Sequence, residues 1–216
     1  MSSIKKAISG VIFDCDGTLV DSETLSTRLI VKMLEEQGHR TSYEEIFKVF
    51  RGEKLSMFID KIKKSYSSIE PDSFISEYRE RSTQLLQTEL QEIEGAKRLL
   101  EKIDLDKCIA SNGPRHKIET SLTSTNLLPF FTNRIVSAYE VNAWKPSPEI
   151  IIHAANLMNQ PPGNCLFIDD SMAGIEAGVK AKAQVVAFRI SNEALGEYKN
   201  WVICIDDLSE VLELLN

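Results

Sequence analysis

Six short apolar runs recur along this chain, and they constrain its fold more than any other feature. Each run is continuous rather than alternating in polarity, and each ends in polar or small residues. The runs occupy residues 11–13, 108–110, 135–136, 165–168, 185–188 and 201–205. Strands that are buried on both faces of a parallel sheet have this pattern.

Helix-like segments separate the later runs. They cover residues 95–102, 114–122, 147–158, 172–181 and 208–215. This alternation of strands and helices from about residue 95 onward predicts an α/β fold with a doubly wound, Rossmann-like parallel sheet.

Residues 20–92 have a different character, because they lack strong strand runs. Their apolar residues instead suggest helices over 24–37, 43–50, 55–64 and 71–89. A helical stretch placed directly after the first strand indicates an insertion. We therefore predict an α/β core domain of residues 1–19 and 93–216, with a helical domain of residues 20–92 inserted into it.

Bulk properties narrow the functional classes. A chain of 216 residues with 43% hydrophobic and 26% charged residues has an ordinary globular composition. Its net charge of -7 argues against nucleic acid as a partner. No apolar run approaches the roughly 18 residues of a membrane span, and the N-terminus is too short and polar for a signal peptide. We expect no membrane association and a cytoplasmic location. The four scattered cysteines are expected to be buried, reduced thiols.

Two carboxylates follow the first apolar run at a spacing of two residues, Asp14 and Asp16. Residues i and i+2 of an extended strand face the same way, and ligands of open α/β sheets bind beyond the strand ends. Two carboxylates aimed at one crevice repel each other unless they share a positive charge. A hard cation such as Mg²⁺ meets that need. The alternative is a capped turn in which both acids are solvated.

Two further groups follow later strands. Ser111 and Asn112 precede Gly113 and Pro114, so a hydroxyl, an amide and backbone N–H groups gather at a helix start. Such a site suits an anion, although the same residues also make an ordinary turn. Lys145 lies between an aromatic residue and a proline-stiffened turn. It could neutralise a phosphate and a carboxylate together, or it could be a solvated surface lysine.

Acidic pairs end two of the predicted strands, at residues 169–170 and 206–207. The pair Asp169 and Asp170 is what a Mg²⁺ site near Asp14 requires. The later pair fits a helix cap instead, since Asp207 is followed three residues later by Glu210.

Together, the order and spacing of these groups resemble the four motifs of the haloacid dehalogenase-like hydrolase superfamily. The segment from Asp14 to Thr18 resembles the first motif, Ser111 the second, Lys145 the third and the pair 169–170 the fourth. The helical insert resembles the α-helical cap of the β-phosphoglucomutase-like subgroup. The resemblance covers essentially the whole chain.

This resemblance implies an enzyme that removes phosphate from a small phosphorylated metabolite. The expected substrate is a sugar phosphate, with 6-phosphogluconate as the specific candidate. Asp14 would be the nucleophile that forms an aspartyl-phosphate, and Asp16 the general acid and base. Ser111 and Lys145 would complete the catalytic set and bind the phosphate, assisted by Asn112.

The resemblance also implies a Mg²⁺ cofactor and a substrate-reading loop in the cap. Asp14 and Asp170 would be direct metal ligands, and Asp16 would contribute its backbone carbonyl. Asp169 would be a nearby ligand, either directly or through water. Mutases of the subgroup tend to have Glu at this position, so the aspartate here departs from that pattern. In the cap loop, Arg51 or Lys54 would bind a sugar-acid carboxylate; the alternative is a solvated turn.

Two other functions remain open at this point. A phosphosugar mutase of the β-phosphoglucomutase type would use the same two aspartates, so the motifs do not separate it from a phosphatase. A non-catalytic phosphosugar-binding protein would not need every catalytic position filled, as they are here. We expect a monomer or a weak dimer.

Overall fold

The computed structural model describes residues 7–50, 55–66 and 68–215. The chain divides into two compact units. One combines Met1–Val20 with Gln91–Asn216, and the other is Asp21–Leu90.

The first unit is built around a parallel sheet. Among the described residues its strands are β1 (Gly10–Phe13), β2 (Asp106–Ser111), β3 (Ile135–Ser137), β4 (Cys165–Asp169), β5 (Gln184–Phe188) and β6 (Val202–Ile205). They follow the order β3–β2–β1–β4–β5–β6, and every neighbouring pair is parallel. Each predicted apolar run overlaps one strand, so the predicted doubly wound α/β fold is confirmed.

Strand register determines where the functional residues meet. All four residues of β1 are buried, and β1 lies between β2 and β4. Phe13 at its end is aligned with Ile109 on one side and Ile168 on the other. Since the strands are parallel, the residues that follow them emerge at one edge of the sheet.

Helices occupy both units. Within the described ranges they are α1 (Ser22–Glu36), α2 (Tyr43–Phe50), α3 (Leu55–Ser65), α4 (Pro71–Thr88), α5 (Ala96–Lys102), α6 (Arg115–Ser124), α7 (Ala138–Val141), α8 (Glu149–Leu157), α9 (Met172–Lys180), α10 (Asn192–Leu195) and α11 (Glu210–Leu215). Against the sheet, α8 buries Ile150, Ile151 and Ala154 in a cluster with Ile12 and Phe167. This apolar cluster holds the central strands in place beneath their functional ends.

The second unit contains α1 to α4 and its own core. Leu29, Ile30 and Met33 of α1 are buried with Phe58 of α3 and Phe74 of α4. Their spacing along α1 is that of one helix face, which is why an amphipathic pattern indicated helices here. At the start of α1, the Asp21 side chain accepts a hydrogen bond from the Thr24 N–H. This contact is an N-cap.

Among the helices in the described ranges, none combines the length and the apolar character needed to cross a lipid bilayer.

Three of the four cysteines match the expectation of buried thiols, and Cys204 is only partly buried. Burial raises the pKa of Cys108 to about 12 and that of Cys165 to about 11. Burial also raises the pKa of Cys15. Because the thiolate is the reactive form, these thiols should be inert in the folded protein.

We therefore expect at most one thiol, that of Cys204, to react with Ellman's reagent at pH 8 in the native protein. All four should react after unfolding in guanidinium chloride. Replacing Cys204 by serine should remove the native-state signal. Rapid reaction of two or more thiols in the folded state would contradict this assignment of burial.

Candidate active site

Asp14 is placed at the functional edge by the strand ladder itself. Its N–H donates to the Ile168 carbonyl at 2.9 Å, which extends the pairing of β1 with β4 by one residue. The Asp14 residue is only 8% exposed, and its carboxylate accepts a hydrogen bond from the Lys145 ammonium at 2.5 Å. Burial raises the pKa of the Asp14 carboxyl to about 7; Lys145 opposes this rise and Asp169 adds to it.

Lys145 connects two of the predicted motifs. Its side chain is 3% exposed, and its ammonium contacts both Asp14, at 2.5 Å, and Asp169, at 2.7 Å. Burial alone would lower the lysine pKa, but these two carboxylates raise it above its ordinary value. Lys145 is therefore a buried cation, and the solvated-lysine alternative is wrong for this residue.

The backbone of Lys145 is held by Asn112. The Lys145 N–H donates to Oδ1 of Asn112 at 2.8 Å, and Nδ2 of Asn112 donates to the Lys145 carbonyl at 3.4 Å. The peptide bond between Lys145 and Pro146 is cis. These contacts give Asn112 a role in holding the lysine, while its contact with substrate stays a prediction.

Three carboxylates gather beside this lysine. Among the described residues, Asp14, Asp169 and Asp170 each offer an oxygen, and these oxygens lie within 4.8 Å of one another. Asp170 is 9% exposed and accepts a hydrogen bond from the Thr18 hydroxyl at 3.0 Å. A group of carboxylate oxygens at this separation suits a hard divalent cation.

Both carboxylate oxygens of Asp169 accept hydrogen bonds. Its Oδ2 contacts Lys145, and its Oδ1 accepts from the N–H and the hydroxyl of Ser171, at 2.8 and 2.7 Å. The Ser171 hydroxyl in turn accepts from the Gly174 N–H and caps α9. A Cβ on Gly174 would overlap the Asp169 carboxylate. Asp169 thus ties the lysine to the start of α9.

Asp16 lies apart from the three clustered acids. Its carboxylate belongs to a side chain that is 25% exposed, and its Oδ2 accepts from the Lys117 ammonium at 2.8 Å. Between the two aspartates, Cys15 is buried, and its carbonyl accepts from the N–H groups of Leu19 and Val20. This folded loop needs Gly17 at a φ of +83°, where a side chain would also overlap Asp170.

Ser111 ends β2 at the same edge of the sheet. It is 2% exposed, and its hydroxyl accepts from the Gly113 N–H at 3.1 Å. The Ser137 hydroxyl donates to the Gly113 carbonyl at 2.7 Å, which fixes the turn from the side of β3. The turn then leads into α6 at Arg115.

The structure thus brings together the residues of all four motifs in the first unit. The later acidic pair, at residues 206–207, has a structural role instead. The Asp207 carboxylate accepts a hydrogen bond from the Ser209 N–H. The Glu210 carboxylate accepts hydrogen bonds from the N–H groups of Asp206 and Asp207. These contacts cap α11, as its sequence pattern indicated. The predicted cap-loop residues Arg51 and Lys54 lie outside the described residues.

Sequence reasoning did not select Lys117, Thr18 or Ser171, although each contacts a predicted acid. Ser171 directly follows the pair 169–170, so proximity to a motif was a usable signal there. Thr18 ends the first motif but contacts Asp170, which is 152 residues away along the chain. Lys117 is 101 residues from Asp16, and no local pattern connects the two.

Known proteins resemble this chain over most of its length. Residues 11–188 match the family described as haloacid dehalogenase-like hydrolase. The 6-phosphogluconate phosphatase of Escherichia coli is 40% identical over 182 residues, which cover 84% of this chain and 82% of that protein. This similarity confirms the expected class of enzyme, a phosphoric monoester hydrolase.

Solved structures share the fold of this chain. The crystal structure of a conserved haloacid dehalogenase-like protein of Agrobacterium tumefaciens has a TM-score of 0.86 and 26% identity, covering 97% of this chain and 98% of that one. A putative β-phosphoglucomutase of Thermotoga maritima has a TM-score of 0.81 and 22% identity, covering 96% and 98% of the two chains, which shows a shared fold. The match over residues 11–188 and the four motifs at one sheet edge establish that this chain belongs to the haloacid dehalogenase-like hydrolase family.

Proposed function

We propose that this enzyme is a Mg²⁺-dependent phosphatase that hydrolyses a small sugar phosphate through an aspartyl-phosphate. The observation that carries the proposal is the buried contact of Lys145 with Asp14 and Asp169, next to Asp170. A carboxylate nucleophile, a fixed cation and a cluster of metal-type ligands then share one place. The similarity to 6-phosphogluconate phosphatase makes 6-phosphogluconate the first substrate to test.

In the first step, an oxygen of Asp14 bonds to phosphorus as the bond to the sugar oxygen breaks. The leaving alkoxide takes a proton from Asp16. In the second step, Asp16 accepts a proton from a water molecule whose oxygen bonds to phosphorus as the bond between phosphorus and Asp14 breaks. This step frees the Asp14 carboxylate and releases inorganic phosphate. Two displacements at phosphorus thus return the enzyme to its starting state.

Lys145 and Ser111 are placed to hold the phosphoryl group. Phosphoryl transfer needs positioning and charge stabilisation more than covalent assistance. Lys145 brings a fixed positive charge to the reacting Asp14 and lowers its repulsion with an anionic substrate. Asn112 keeps the lysine backbone in place, so its loss would act through Lys145.

The acid cluster fits a magnesium ion in its donor chemistry, since all its oxygens are carboxylate oxygens. We propose Asp14 and Asp170 as direct ligands, with the Asp16 carbonyl as a further one. Asp169 would act through water, because both of its oxygens already accept hydrogen bonds. When bound, Mg²⁺ supplies positive charge next to the phosphoryl oxygens.

The unit Asp21–Leu90 is proposed to be the cap that selects the substrate. Closure of a cap excludes bulk water during transfer. Arg51 and Lys54 remain the predicted ligands of a sugar-acid carboxylate. A cytoplasmic location and a monomeric or weakly dimeric state also remain predictions.

A substrate panel with Mg²⁺ tests the proposed function. We expect inorganic phosphate to be released from sugar phosphates, with 6-phosphogluconate preferred over glucose 6-phosphate. Formation of glucose 6-phosphate from a glucose 1-phosphate, without release of phosphate, would support the mutase alternative. Absence of turnover across the panel with Mg²⁺ present would contradict both functions.

Removal of the metal should abolish turnover. We expect phosphate release to fall to background after treatment with EDTA and to return on addition of Mg²⁺, because the three clustered carboxylates repel an anionic substrate without it. An Asp170→Asn variant should need a higher Mg²⁺ concentration for half-maximal activity. Full activity in EDTA would rule out the metal-dependent mechanism.

A further inference from the structure

Lys117 is a cation that contacts the proposed acid and base, Asp16, and that the sequence motifs do not include. Its ammonium donates to Oδ2 of Asp16 at 2.8 Å. The two side chains are 36% and 25% exposed, so the pair lies at the surface of the site. Lys145, by contrast, is buried against Asp14 and Asp169. Lys117 therefore contacts Asp16 near the surface, whereas Lys145 contacts Asp14 and Asp169 in the interior.

The backbone that carries Lys117 is well fixed. It lies in the first turn of α6, and the Pro114 carbonyl accepts from the Lys117 N–H at 3.0 Å. The preceding turn is anchored by the hydrogen bond from Ser137 to the Gly113 carbonyl. Since β1 and β2 are parallel neighbours, the loops that follow them lie side by side. The contact with Asp16 is thus built into the topology.

The Asp16 carboxylate lies close to the turn that follows β2. Its Oδ2 is 3.8 Å from the point that a Cβ on Gly113 would occupy. Gly113 lies in the turn after β2, and its N–H donates a hydrogen bond to the Ser111 hydroxyl. Lys117 therefore holds the Asp16 carboxylate next to the segment proposed to bind phosphate.

We propose that Lys117 is a positioning residue that fixes the orientation of Asp16 for proton transfer to the leaving group; this inference rests on the proposed phosphatase function. A partly exposed ion pair contributes little to folding stability. Its value is geometric, because a hydrogen bond from Lys117 narrows the range of rotamers that the Asp16 carboxylate samples. Proton transfer requires the carboxyl group within hydrogen-bonding distance of the leaving oxygen.

Two substrates with different leaving groups distinguish this positioning role from a general structural role. A sugar alkoxide is a poor leaving group and needs a proton, whereas p-nitrophenolate leaves readily without one. The value of kcat/KM reports steps up to formation of the phosphoryl-enzyme, so it isolates this proton transfer. In a Lys117→Met variant we expect kcat/KM to fall about tenfold or more for glucose 6-phosphate, and by less than about threefold for p-nitrophenyl phosphate. Neither substrate has a second anionic group that Lys117 could bind.

The experiment compares Lys117→Met, Lys117→Arg and a control, Lys180→Met, on both substrates with Mg²⁺ present. Lys180 also forms an ion pair, with Glu176 on α9, and is half exposed. We expect arginine at position 117 to restore most of the rate, since it also binds a carboxylate, and the control to match the wild type. Equal losses on the two substrates would overturn the proposal.

A double-variant cycle provides the second criterion. If Lys117 acts through Asp16, Lys117→Met should change kcat/KM by less than about twofold in an Asp16→Asn background. A further tenfold loss in that background would overturn the positioning role. Failure of the wild type to release phosphate from any sugar phosphate of the panel would instead reject the proposed function, so the two failures are distinguishable.

Discussion

Replacing Asp14 by asparagine should lower kcat by at least about a thousandfold, because the variant lacks the oxygen nucleophile on which both displacements depend. Asparagine keeps the size and most of the shape of the side chain. The backbone contact of residue 14 with Ile168 is independent of the side chain and should persist. Phosphate release from the preferred sugar phosphate measures the loss.

The same substitution should change the stability of the metal-free protein in a pH-dependent way. Burial raises the pKa of Asp14 from 3.8 to about 7 in the folded state. The folded protein therefore keeps this proton while the unfolded chain loses it, so the contribution of Asp14 to stability decreases as pH rises from about 4 to about 7. Asparagine removes that decrease. We expect the Tm of the variant, relative to wild type, to be higher at pH 8 than at pH 5.

Asp206→Asn is the matched control, since Asp206 also follows a strand and lies outside the acid cluster. It should keep wild-type activity and should not show the pH-dependent gain in Tm. An Asp14→Asn variant that retains more than a tenth of wild-type activity would sink the nucleophile assignment. A Tm difference from wild type that is no higher at pH 8 than at pH 5 would show that the charge of Asp14 is stabilised, not penalised, by its surroundings.

The fold was largely predictable because its strands are buried on both faces. Burial on both sides demands an uninterrupted apolar run, such as Cys165–Asp169 before its terminal acid, and such runs are visible in one sequence. The four-residue helices α7 and α10 were not predicted, since one turn is too short to show a helical period. The start of α8 was predicted two residues too early, at Ser147, whereas the helix begins at Glu149. The Ser147 hydroxyl contacts the Glu149 carboxylate just before the helix.

The site was predictable where it depends on strand ends and unpredictable where it depends on side-chain pairing. Parallel register brings Asp14, Ser111 and Asp169 to one edge whatever their separation along the chain. Which lysine meets which aspartate depends on side-chain directions that only the folded backbone defines. Lys145 was selected because a turn of unusual composition surrounds it, whereas Lys117 lies in an ordinary helical turn.

The largest combined effect on stability and activity is expected for Lys145→Met. Methionine fills a similar volume but leaves Asp14 and Asp169 without the ammonium that both contact. Removing one partner of a buried ion pair typically costs about 3–5 kcal/mol, because the remaining charge stays desolvated. Loss of the fixed cation should also lower kcat at least about a thousandfold, by analogy with other electrostatic groups that act on a transition state.

Metal binding distinguishes this electrostatic explanation from a simple packing defect. In Lys145→Met the acid cluster has lost a positive charge, so a divalent cation should relieve more repulsion there than in the wild type. We therefore expect Mg²⁺ to raise the Tm of the variant by more than it raises the Tm of the wild type. The exposed-pair variant Lys180→Met should lose no more than about 1 kcal/mol and respond to Mg²⁺ as the wild type does. If Mg²⁺ stabilises Lys145→Met less than the wild type, then Lys145 does not neutralise the site but helps to shape it, and the charge-sharing account of these aspartates is wrong.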